Sequence, residues 1–135
     1  MVAALFFVQA IHSRTIVAIM KDNVVKTKSF QFAVHVAACC RELIESREYV
    51  LSRQLLRSGT SIGANVREAI NASTRKDFAY KLGVALRESD ETLYWLELLF
   101  TSGYIPEPQF KHLHEKGEEL IRILTTILKT TRQTL

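Results

Sequence analysis

The chain has 135 residues, a length that suits one domain with a core of its own. With 47% hydrophobic and 24% charged residues it is neither disordered nor fibrous, and its two prolines and five glycines leave room for long helices. The net charge of +4 is modest, and the adjacent Cys39 and Cys40 exclude a disulfide framework or a cysteine metal site and fit a reducing cytoplasm.

Residues 1–19 are apolar but are interrupted by His12 and Arg14 and lack a basic leading segment, so they fit neither a signal peptide nor a membrane span. They read as an upstream extension, with Met20 as a natural start; the rival reading is an extra apolar element docked on the bundle or on a neighbouring subunit. Residues 20–28 form a polar lead. The four-helix bundle then occupies 29–131, and 132–135 is a short tail.

The first helix is expected from Ser29, as N-cap, to Ser46. Its core stripe is Phe32, Val36, Cys39 and Leu43, broadened by Phe30, Val34, Ala37 and Ile44. A break near Arg47 and Glu48 leads into the second helix, which ends near Asn71 or Ala72. There Leu55, Gly59, Ile62, Val66 and Ala69 alternate steps of four and three and so share one face, flanked by Leu56, Gly63 and Ile70. A glycine inside a helix costs roughly 1 kcal/mol relative to alanine. Gly59 and Gly63, one turn apart beside small residues, therefore predict a close helix–helix crossing.

Thr74 followed by Asp77 resembles a capping box, with Ser73 as the alternative cap, and opens a third helix that runs to about Ser102. Its face is Phe78, Leu82, Ala85, Ser89, Thr92 or Leu93, Leu96 and Leu99. Gly103 is placed for a left-handed C-cap. Pro106 and Pro108 stand where a fourth helix begins, and Phe110, Leu113, Gly117, Leu120, Leu124, Ile127 and Thr131 carry its heptad. The fold class that follows is all-α: an antiparallel up-down-up-down four-helix bundle with a short N-terminal extension.

No catalytic chemistry is signalled, and the chain reads as a non-enzyme without a cofactor. None of His12, His35, His112 or His114 has a glutamate three residues before it, which excludes the di-metal site usual in such bundles. His112 and His114 read as surface histidines. SGTSIG lacks the spacing and lysine of a phosphate-binding loop.

Polar residues at or near the seam, among them Asn65, Glu68, Glu88, Glu91, Ser89 and Thr92, are expected to fix register, with Asn65 and Glu68 paired to Glu88, Glu91 or arginines of the third helix. A ligand pocket is the alternative reading for them. Of the consecutive Tyr94 and Trp95, one should pack in the core and the other face a subunit contact.

Charge is unevenly spread. Arg53, Arg57, Arg67, Arg75, Lys76, Lys81 and Arg87 stand against only Glu68 and Asp77, after which Glu88, Asp90, Glu91 and Glu97 follow without a base up to Phe100. This pattern suits a polyanion partner or self-association between surfaces of opposite sign, and equally an ordinary solvated surface with local ion pairs.

The segments SRQLLRSGTSIGANVREA (52–69), SxxxDFAYKLGVALRESDET (73–92) and YWLELL (94–99) resemble the four-helix-bundle proteins encoded in intervening sequences of large-subunit ribosomal RNA genes. The likeness runs from Lys26 to Leu128 and keeps the order of all four helices. It implies a small cytoplasmic bacterial protein that forms a homopentameric ring. It also implies a relation to the basic accessory subunits of diversity-generating retroelements, which contact RNA and a reverse transcriptase. Two functions stay open. In one, an oligomer contacts ribosomal or other structured RNA through the seven basic residues named above. In the other, a scaffold docks a partner protein without nucleic acid. Convergence of the arginines on one solvent-facing patch separates the two.

Overall fold

The computed structural model describes residues 24–133. Four helices account for nearly all of them: α1 (Val24–Glu45), α2 (Val50–Ile70), α3 (Arg75–Thr101) and α4 (Glu107–Gln133). Among the described residues each helix packs on two neighbours, in the closed order α1–α2–α3–α4, and none packs across the diagonal. Contacts between neighbours move to lower numbers on one helix as they rise on the other, as in Ser58–Thr92 against Lys81–Glu68. The bundle is therefore antiparallel throughout.

Local chemistry explains the ends. Thr74 is extended, and its Oγ1 accepts from the Asp77 amide at 3.1 Å, so one of the unpaired first-turn donors of α3 is satisfied as expected. At the other end Gly103 has φ +81°, the Tyr104 amide reaches the Leu99 carbonyl at 2.8 Å, and the Gly103 amide reaches Phe100 at 3.0 Å. That is the paired C-terminal closure glycine favours. The same closure ends α1, where Glu48 donates to Leu43 and Arg47 to Ile44, but here Arg47 occupies the left-handed position, φ 65°. Glu48 then caps α2: its carboxylate accepts from the amides of Val50, Leu51 and Ser52 at 3.3, 3.0 and 2.8 Å. An anion there also meets the positive end of the helix dipole.

The α2 seam is buried as expected, and so are the α3 and α4 stripes apart from the half-buried Phe78, Leu93 and Phe110. Two expectations for α1 fail. Ser29 is not an N-cap: the chain is already helical at Val24, and Ser29 is buried inside α1 with its Oγ donating to the Lys26 carbonyl at 3.1 Å. Nothing between Val24 and Lys28 breaks a helix, and Val25 carries the buried stripe a further turn back. The stripe also broadens on the other flank. Ser29 and Cys40 are buried beside α2, whereas Phe30, Val34 and Ile44 stay 55%, 52% and 47% exposed. A helix with two neighbours buries only the arc between them, whatever apolar residues lie outside it. Leu56 on α2 is left outside for the same reason. The expected N-terminal extension, residues 1–19, lies outside the described residues.

Candidate nucleic-acid interface

The seven basic residues singled out in the sequence do not form one stripe. Arg57 is spent on α3: its Nη2 lies 2.5 Å from Glu91 Oε1 and its Nη1 3.4 Å from Glu88 Oε1. The Arg57 hydrogen bond, with a second from Trp95 Nε1 at 3.2 Å, holds the Glu91 carboxyl below its ordinary range. Lys81 pairs with Glu68 at 2.9 Å. The Arg67 guanidinium lies 5.4 Å from the centre of the Phe30 ring, within cation–π range. Arg53 stands near the start of α2, at the opposite end from Arg67, Arg75 and Lys76.

The polar seam is likewise rearranged. Asn65 turns back on its own helix and donates to the Ser61 carbonyl at 2.8 Å, since a polar side chain within a helix readily takes the backbone acceptor one turn earlier. Glu68 takes a lysine of α3, and Glu88 and Glu91 take Arg57. Thr92, among the residues expected to fix register, does bond across helices: its Oγ1 lies 3.0 Å from Ser58 Oγ, both residues wholly buried. Trp95 is half-buried against the core and Tyr94 is exposed. Burial pushes the Cys39 thiol up to about 11, with Glu42 adding to it, and Cys40 to about 12, with Cys39 and Glu48 adding to it, so both stay protonated at neutral pH. His35 and His112 meet edge to face at 5.1 Å, while His114 reaches Glu97 and Glu118. No three His, Cys, Asp or Glu side chains converge as metal ligands among the described residues.

What the fold does assemble is a basic end. Chain reversal places the start of α1, the end of α2, the start of α3 and the end of α4 together. There Lys26, Lys28, Arg67, Arg75, Lys76, Lys81, Lys129 and Arg132 stand with Glu68, Asp77 and Glu119, of which Glu68 and Glu119 pair with Lys81 and Lys28. The opposite end is mixed and richer in acid, with Glu42, Glu45, Glu48, Glu97, Glu107, Glu115 and Glu118 among Arg41, Arg47, Arg53, Lys111 and Lys116. Arg75 and Lys76 occupy the first turn of α3, where the helix dipole disfavours positive charge. Helix stability does not account for them there. Lys26, Lys129 and Arg132 lie far in sequence from the bases of α2 and α3, and no local pattern marks them as partners.

The model of the 23S rRNA-intervening sequence protein family matches residues 21–126. The chain belongs to this family. A crystal structure of a protein with unknown function from the S23 ribosomal protein family of Bacteroides thetaiotaomicron VPI-5482 is similar to it at 48% identity and a TM-score of 0.77, over 78% of this chain and 99% of that one. No curated protein matches the chain. The family match spans α1 to α3 and most of α4 but stops short of Lys129 and Arg132. Among the described residues no helix is long and apolar enough to cross a membrane.

Proposed function

We propose that this protein is a non-enzymatic, oligomeric helical bundle that contacts structured RNA through the phosphates, with the basic end of the bundle as the reading surface. The observation that carries the proposal is the segregation of charge: bases from all four helices meet at one end with three acids among them, and two of those bases sit where a helix dipole opposes them. Phosphate contact of this kind is electrostatic and weakly sequence-selective. Arg57 takes no part, since Glu88 and Glu91 already neutralise it.

Titration into labelled structured ribosomal RNA at low and physiological salt tests this. Log affinity should fall linearly with log salt. Lys76→Glu with Lys129→Glu should weaken binding by about tenfold or more at low salt, and Arg57→Gln should change it little. Absence of binding at low salt by the wild type rejects the proposal.

A second reading, a scaffold in a reducing cytoplasm that docks its own copies or a partner protein, rests on the exposed Phe30, Val34 and Ile44 of α1 and the neighbouring Tyr49 and Leu56. Light scattering on Val34→Glu tests it: a fall in mass relative to the wild type supports association through this face, in a ring of five or otherwise. An unchanged mass removes the face from the reading.

A further inference from the structure

Beside the basic end, the outer groove between α3 and α4 opens into a hollow of about 250 Å³ lined by Ala79, Tyr80, Gly83, Leu86, Arg87 and Arg132. It runs on, past the shared Leu86 and Arg132, into a second depression of about 470 Å³ that adds Leu128 and Lys129. We infer that this trough takes an unpaired nucleotide segment, with Tyr80 stacking on a base and Arg87, Arg132 and Lys129 meeting the phosphates; the inference rests on the RNA reading above and names the form of RNA recognised.

Four observations carry it. The lining holds three cations and no acid, which suits a polyanion and disfavours an apolar helix or strand. Tyr80 is 62% exposed, so its ring face is open at the rim of the hollow. Single-stranded nucleic acid is bound by this pairing of an aromatic platform with a basic track, because every base has a stackable face. The floor is apolar, formed by Ala79, Leu86 and the bare backbone of Gly83.

Gly83 is the telling residue. Among the described residues a Cβ built there would meet nothing nearer than the Arg132 guanidinium at 3.9 Å, whereas one at Gly59 or Gly117 would lie 2.7 or 2.6 Å from a side chain across the seam. Packing among the described residues does not call for glycine at 83, and a mid-helix glycine is unfavourable on its own account. Its absent side chain keeps the hollow open. A duplex keeps its bases stacked inside and cannot present one to Tyr80, so the site selects single strands, loops or bulges.

The test uses the full chain with three probes: a labelled single-stranded RNA of about eight nucleotides, an RNA duplex of similar charge, and a glutamate-rich peptide. Variants are Tyr80→Ala, Tyr80→Phe, Gly83→Leu and Arg132→Gln, each checked to keep a cooperative helical melt no less stable than the wild type. Tyr80→Ala should weaken single-strand binding by about tenfold. Tyr80→Phe should restore it, and Gly83→Leu should block the site while duplex binding persists. Arg132→Gln should lower the single-strand salt slope by about one.

If Tyr80→Ala and Gly83→Leu leave single-strand affinity unchanged while the wild type still binds duplex, the nucleotide site falls and the RNA reading stands. If the wild type binds neither RNA at low salt, both fall. Peptide binding as tight as RNA binding, insensitive to Tyr80→Ala, would show a plain polyanion surface and overturn the site. A change of oligomer mass on Tyr80→Ala, without a change in RNA affinity, would assign the hollow to a second copy and overturn it likewise.

Discussion

The α1–α2 seam and the basic end of the α3–α4 seam each place a glycine inside a helix, and they use it in opposite ways. At Gly59 the missing side chain lets α1 come close: Val36 Cγ1 stands 2.7 Å from where a Cβ would be. At Gly83 no described residue fills the space, which is rimmed by a tyrosine and two arginines. One glycine is spent on packing density, where stiff branched side chains have no room to yield. The other leaves an opening that the core does not require. The same residue type therefore marks structure on one face and a candidate site on another, and the neighbours across the seam tell them apart.

Substitutions sharpen that contrast. Gly59→Ala should have the largest effect, destabilising by about 2 kcal/mol in denaturant melts because overpacking against the rigid Val36 outweighs the gain in helix propensity. A neutral or stabilising result would mean that α1 and α2 separate freely, and the two seams would no longer differ. Gly83→Ala should move the other way, raising stability by up to about 1 kcal/mol, since its Cβ enters open space on an ordinary helical backbone. A loss of stability there would break the comparison from its other side.

Smaller effects report on the ends and edges. Arg47→Gly at the left-handed position after α1 should stabilise by about 0.5–1 kcal/mol, the relief of a side chain's strain there minus glycine's greater entropy loss. A fall in melting temperature would show that the Arg47 side chain contributes a contact worth more than the strain. The smallest effect is pH dependence. Glu91 and Glu119 are held below the ordinary carboxylate value of 4.5 by hydrogen bonds from Arg57 and Lys28. A carboxyl lowered by folding adds stability that is fully present above its unfolded value and lost as pH falls through the folded one. The melting temperature should thus stay level above about pH 5 as far as these groups decide it, and fall below pH 4.5. Arg57→Gln should shrink that fall, and added salt should shrink it too, because both pairs lie at the surface.

Much of the fold could be read before the structure, for reasons that particular residues make plain. The Thr74 cap and the Gly103 closure involve atoms within a few residues of one another, so sequence order already sets their distance. The seam from Leu55 to Ala69 follows from the helical period alone. The flank of α1 was misread because Phe30, Val34 and Ile44 are as apolar as residues that are buried, and period and composition cannot say on which side a neighbour lies. The candidate site was legible only in part: Arg67, Arg75, Lys76 and Arg87 were named, while Arg132, Lys129 and Tyr80 were not. Arg57 carries the same charge as Arg67 in the sequence but has it offset by two glutamates across the seam.

By itself, then, the sequence determined four helices, their principal buried faces, the caps at both ends of α3 and the antiparallel order that short connections impose. These depend on interactions within a turn or two and on the burial of apolar stripes. Tertiary structure alone decided which charges meet, which are neutralised, and where the surface opens. Lys26, Arg67, Arg75 and Arg132 are spread across more than a hundred residues of chain and share one end of the bundle. Electrostatic fields and binding hollows depend on distance in space, and in an antiparallel bundle that distance is set by where the helices reverse.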